Sequence, residues 1–147
     1  MQLLISYARA DGLDFSLQLY DQLKDTGHKP WLDIHDIPPG ADWDIEIDNA
    51  LSRSDIVLVI LTPGSVLSFQ VKSEWSSALN SYKPVIPVLA AECQLPRVLS
   101  VFNSIDFRTN PNAAFSTLVE QLTYIKDRHL QYLHELRDAY QLAEKEH

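Results

Sequence analysis

The sequence predicts an open, flavodoxin-like α/β domain: five parallel strands in the order 2-1-3-4-5, helices on both faces and a long C-terminal helix. Three observations point to it. Residues 55–61 (DIVLVIL) are apolar on both faces and rich in β-branched side chains, as a middle strand covered by helices must be. Short apolar runs alternate with stretches of helical period, the rhythm of βα units closed by right-handed crossovers. With 147 residues, 46% of them hydrophobic, the chain holds enough apolar material for a full core without disulfides or a metal.

Taken in order, residues 2–6 (QLLIS) read as the first strand, stopped by the polar residues 9–12. In the first helix Asp11 is the expected cap, Phe15, Leu19 and Leu23 share a face, and Gly27 stands at the left-handed C-terminal position. Residues 29–33 are the second strand. After it Pro38, Pro39 and Gly40 force a loop that is rigid at its centre. Asp42, Asp44 and Glu46 load the start of a second helix, on which Trp43, Ile47, Ala50 and Leu51 are expected to pack inward. After the central strand, residues 65–81 read as helical in their second half. Residues 84–89 (PVIPVL) form a strand whose prolines place it near an edge, and 104–107 form a weaker fifth strand. From Pro111 one long helix is expected, with Phe115, Leu118, Leu122, Ile125, His129, Tyr132, Leu136, Ala139 and Ala143 in steps of three and four. Nothing in the chain is expected to bury its part beyond about Arg128. The division predicted is a domain over 1–125 and a helical extension or linker over 126–147, leading to another domain.

Twelve basic against twenty acidic residues leave a net charge of −8, and no segment clusters Lys and Arg, so direct nucleic-acid binding is not expected. A single cysteine excludes an internal disulfide and suits a reducing, cytoplasmic setting. No apolar run is long enough to cross a membrane, and no basic leader precedes the first strand.

The four glycines, at 12, 27, 40 and 64, form neither a dinucleotide fingerprint nor a phosphate loop. Ser65 after Gly64 lacks the pattern of a nucleophile elbow and reads better as a helix cap. His129 and His134 are five apart and turn to different helix faces. Asp33, His35 and Asp36 form a polar cluster that a solvated loop explains as well as a cation would; no metal and no cofactor is expected. By the rule for open α/β sheets, the site belongs beyond the carboxyl ends of the strands. That selects Tyr7, Ala8 and Arg9, residues 34–40, and residues 62–74 with Glu74 among them.

Four segments together carry a resemblance: LLISYAR at 3–9, WLDIHDIPPGADWDIEIDNAL at 31–51, SDIVLVILTPGSVLS at 54–68 and SFQVKSEW at 68–75. Over residues 1–125 the chain resembles a TIR (Toll/interleukin-1 receptor) domain, most like bacterial ones attached to longer chains. The resemblance implies that the loop over 34–41, with Ile37, Pro38, Pro39 and Gly40, contacts other TIR domains. It implies that Glu74 matches the glutamate that is catalytic in NAD-cleaving members, where NAD+ is substrate and not cofactor. It also implies that Tyr7, Ala8, Arg9, Asp36, Ser68 and Gln70 line the substrate site. One position departs: Gln70 stands where the family often carries a tryptophan, and Trp75 follows the acid. The activity implied is that of an NAD+ glycohydrolase or cyclase in bacterial immune signalling, switched on by self-assembly. The alternative is a non-catalytic module that binds other TIR domains.

Overall fold

The computed structural model describes residues 1–146. They fall into two units, Met1–Pro111 and the segment from Asn112 on. The first contains β1 (Gln2–Ser6), α1 (Arg9–Asp25), β2 (Lys29–Trp31), α2 (Asp33–Asp36), α3 (Trp43–Arg53) and β3 (Ile56–Leu61). These are followed by α4 (Pro63–Val66), α5 (Phe69–Asn80), β4 (Val85–Leu89), a 3-10 turn at Leu99–Val101 and β5 (Ile105–Asp106). The sheet is parallel, in the order β2-β1-β3-β4-β5, as the alternating pattern predicts.

All six residues of β3 are buried, because it lies between β1 and β4 with both faces covered. On one face Leu4, Val57, Val59, Leu61, Val85 and Leu89 pack with Ala50 of α3 and with Val71, Trp75 and Ala78 of α5. Register pairs Leu4 with Val57 and Ser6 with Val59, so Ser6 is on the same pleat, at the strand's carboxyl end. The other pleat buries Leu3, Ile5, Ile56, Leu58 and Ile60. Asp55 precedes β3 and fixes its start: its N–H donates to the Gln2 carbonyl at 2.9 Å, and its carboxylate accepts from the Gln2 N–H at 2.8 Å.

Four local expectations are corrected. Asp11 does not cap α1, which starts two residues earlier after Ala8; its carboxylate accepts from the Thr62 hydroxyl and the Gly64 N–H, both at 2.7 Å, tying α1 to α4. The second strand stops at Trp31, because Asp33 and Asp36 turn the chain into α2. Residues 63–66 are helical, with Thr62 and Ser65 capping each other reciprocally, so Ser65 is a cap as expected but within a helix of its own. Trp43 does not pack inward; it is 39% exposed and lies under the Arg9 guanidinium, 4.2 Å from the ring centre.

The loop after α2 is held by a tight turn. Ala41 donates to the Pro38 carbonyl at 3.2 Å, Pro39 fixes one corner, and Gly40 takes φ +83°, which is a type II turn. In the second unit α6 (Pro111–Lys145) buries Ala114, Leu118 and Leu122, and every described residue from Lys126 on is exposed.

Gly64 is required for space. A methyl group there would sit 2.5 Å from Asp11 Oδ1. Gly64→Ala should destabilise the domain by about 1–3 kcal/mol in urea unfolding, by displacing a carboxylate that bonds two donors. In an Asp11→Ala background the same change should cost well under half as much; equal costs in both backgrounds would refute the clash.

Candidate functional site

A cavity of about 330 Å³ opens at the carboxyl ends of β1, β2 and β3, beside the point where the strand order reverses. Tyr7, Ala8 and Arg9 enter it directly after β1, and Trp31 and Asp33 from the end of β2. Gly64 and Ser68 come from the segment after β3, and Gln70 and Glu74 from α5.

Glu74 reaches the cavity because of helical phase. On α5 the buried positions are Val71, Glu74, Trp75 and Ala78, a stripe at i, i+3, i+4 and i+7, so the acid lies on the face turned to the sheet. It is 7% exposed. Oε1 accepts from the Ser6 hydroxyl at 3.2 Å, and among the described residues no Lys or Arg pairs with the carboxyl. Burial therefore pushes the Glu74 carboxyl up to about 8; the Ser6 hydroxyl opposes this and the negative charge of Asp33 adds to it. A buried acid lacking a cation beside it is the chemical character of the site.

The one Lys or Arg that lines the cavity, Arg9, is paired elsewhere. Arg9 donates to Asp33 Oδ2 at 3.2 Å, with its side chain half exposed. Asp33 also accepts from the Tyr7 hydroxyl and from the Ile34 N–H, both at 2.7 Å. Burial first, and the Asp33 bond second, raise the Tyr7 phenol well above its ordinary value, so it stays a neutral donor. Ser68 caps α5, accepting from the Val71 N–H at 3.2 Å, which fixes the helix that presents Glu74.

Of the residues expected to line a substrate site, Tyr7, Ala8, Arg9, Ser68, Gln70 and Glu74 share this cavity. Asp36 does not. Its carboxylate accepts from the Leu32 N–H at 2.8 Å and faces the Tyr20 hydroxyl at 3.5 Å, holding the turn from β2 into α2. His35 stacks on Tyr20, ring centres 4.8 Å apart, so Asp33, His35 and Asp36 have separate partners. Ile37 is buried and anchors the loop after α2, whereas Pro38, Pro39 and Gly40 are exposed.

The sequence reading missed Ser6, Trp31 and Asp33 as site residues. Drawing the second strand through to Asp33 hid the rim that Trp31 and Asp33 form. Alternation from Leu4 would have put Ser6 on the α5 face.

The fold and cavity define an open flavodoxin-like domain with a buried acid at its switch point. The TIR domain family model matches residues 3–122, and the chain belongs to that family. Among solved structures it is similar to the TIR domain of the Toll-related receptor TRR-2 from Hydra magnipapillata, at 21% identity over 82% of this chain and 97% of that one, TM-score 0.73. A prokaryotic SEFIR domain matches at 20% identity over 80% and 88%, TM-score 0.63. The TIR domains of the activated Roq1 resistosome, which recognises the pathogen effector XopQ, match at 15% identity over 86% and 98%, TM-score 0.59. At these identities the likeness is one of fold. No curated protein matches the sequence.

The raised Glu74 carboxyl couples folding stability to pH. The folded protein keeps a proton, up to about pH 8, that the unfolded chain releases near its ordinary value of 4.5, so folding weakens as pH rises between the two. Glu74→Gln keeps the Ser6 hydrogen bond and removes the ionisation. It should be neutral near pH 4 and should stabilise by a few kcal/mol at pH 8, measured by urea unfolding at both values. A loss of stability at pH 8 would contradict the environment described.

Proposed function

We propose that the protein is an NAD+ glycohydrolase or cyclase of immune signalling, with Glu74 as its catalytic residue. The observation that carries this reading is the buried carboxyl of Glu74, which accepts from Ser6 and, among the described residues, pairs with no Lys or Arg. With Glu74 ionised such a cavity is one positive charge short, because Arg9 is already paired with Asp33, and the nicotinamide ring of NAD+ is a pyridinium. A bound pyridinium favours the ionised acid and lowers its pKa.

The chemistry asks for little else. When the bond between nicotinamide nitrogen and ribose C1′ breaks, its electron pair goes to nitrogen and neutral nicotinamide leaves, so no general acid is needed. Positive charge develops on the ribose, and a carboxylate held beside it stabilises the transition state more than the ground state. Water then adds at C1′ and gives up a proton to yield ADP-ribose, or an adenine nitrogen of the same molecule attacks and closes a ring.

Other residues orient the substrate. Tyr7 presents a phenol held by Asp33, Arg9 offers a guanidinium to a pyrophosphate oxygen, and Trp31 supplies an aromatic wall in a cavity where Gln70 does not. The cavity has room for the nicotinamide ribose end of the dinucleotide. The exposed turn at Pro38, Pro39 and Gly40 of a neighbouring copy would complete the rest, which makes assembly the switch. The exposure of that turn is also what favours the second reading, a module that only binds other TIR domains.

With concentrated protein and NAD+, free nicotinamide should appear, and Glu74→Gln should release it about 100-fold to 1000-fold more slowly. Equal release by both proteins would leave only the binding module. Because the ionised acid is the active form, kcat/KM should climb with pH to a plateau above about 8, and the neutral ring of NADH should not be cleaved. Turnover per molecule should rise with protein concentration; a flat dependence would remove assembly from the account.

A further inference from the structure

A second cavity, of about 420 Å³, is larger than the one that holds Glu74 and shares no lining residue with it. It lies between the α4–α5 corner and the loop after β4. Val66, Leu67, Trp75, Leu95, Pro96 and Val98 make it mostly apolar, and its volume is that of a small-ligand pocket. The rim is unusually greasy for a surface: Leu67 is 87% exposed and Val98 53%.

Its charges are more specific than its shape. Lys72 from α5 and Arg97 from the loop are the only charged residues in the lining, in a chain with 20 acids against 12 bases. Among the described residues neither head group makes an ion pair or a hydrogen bond. In an acidic chain, a wall with two unpaired cations and no carboxylate is a local reversal of the charge balance, which favours an anion there.

We propose that this cavity binds a small amphiphilic acid: a hydrocarbon body seated on Trp75, Leu95 and Val98, with one anionic head held by Lys72 and Arg97. A polyanion would satisfy the cations but leave the apolar floor wet. A neutral apolar molecule would fill the floor but gain nothing from Lys72 and Arg97, which are exposed and stay solvated. Only a ligand with both parts satisfies both walls. The proposal does not rest on the NAD+ reading, because it concerns a separate cavity and is tested by binding alone.

The test is isothermal titration calorimetry of the full chain with decanoate. Three controls separate its parts: decan-1-ol has the body without the charge, acetate the charge without the body, and decyltrimethylammonium the opposite charge. Decanoate should bind saturably at one site, about tenfold or more tighter than each control. Lys72→Met combined with Arg97→Met should weaken decanoate by about tenfold or more and leave decan-1-ol unchanged. Val98→Glu, at a half-exposed position that folding tolerates, should abolish decanoate binding through like-charge repulsion. Three results would overturn the proposal: no saturable heat with decanoate, equal binding of decan-1-ol or decyltrimethylammonium, or variants that bind decanoate as the parent does.

Discussion

The carboxyl of Glu74 is buried beside the Ser6 hydroxyl and, among the described residues, pairs with no Lys or Arg; the elements around it hold it there. Register between β1 and β3 puts Ser6 on the pleat that faces α5. The phase of α5, fixed at its start by Ser68, turns Glu74 to that pleat together with Val71, Trp75 and Ala78. Asp33 pairs with Arg9, the guanidinium that lines the same cavity. Each is an ordinary device of an α/β domain; their sum is an acid kept in its neutral form, at a cost in stability that a purely structural helix would not carry.

The fold was legible because its strongest signals are local and redundant. The run Ile56–Leu61, apolar on both faces, could only be a central strand, and the alternation around it left few topologies. What was misread depended on partners distant in the chain. Asp11 has the composition of a cap, yet its donors, Thr62 and Gly64, lie more than fifty residues away. Trp43 has the phase of a core residue, yet Arg9 offers its ring a better-matched partner at the surface.

The site was half legible for similar reasons. The rule that open sheets bind beyond their carboxyl ends selected the segments holding Tyr7, Arg9 and Glu74, and these meet in one cavity. Asp36, expected in the same site, lies outside that cavity: two acids three residues apart look alike in sequence, and only the short helix decides that Asp33 faces the cavity and Asp36 the chain's own turn. The burial of Glu74 could have been foreseen, since Val71, Trp75 and Ala78 mark a buried stripe and the acid falls within it. Taken alone as a polar helix residue, it looks like a solvated one.

Two cavities flank a single helix, with Glu74 in one and its neighbour Trp75 in the other. The central claim is the charge deficit in the first, and it is read most directly by carbon-13 NMR titration of the Glu74 side-chain carboxyl, assigned with Glu74→Gln. The free protein should give a midpoint near 8, and a non-cleavable carbocyclic analogue of NAD+ should pull that midpoint down by at least one pH unit. A carboxyl that titrates in the ordinary range near 4.5, or one whose midpoint the analogue leaves where it was, would contradict the account.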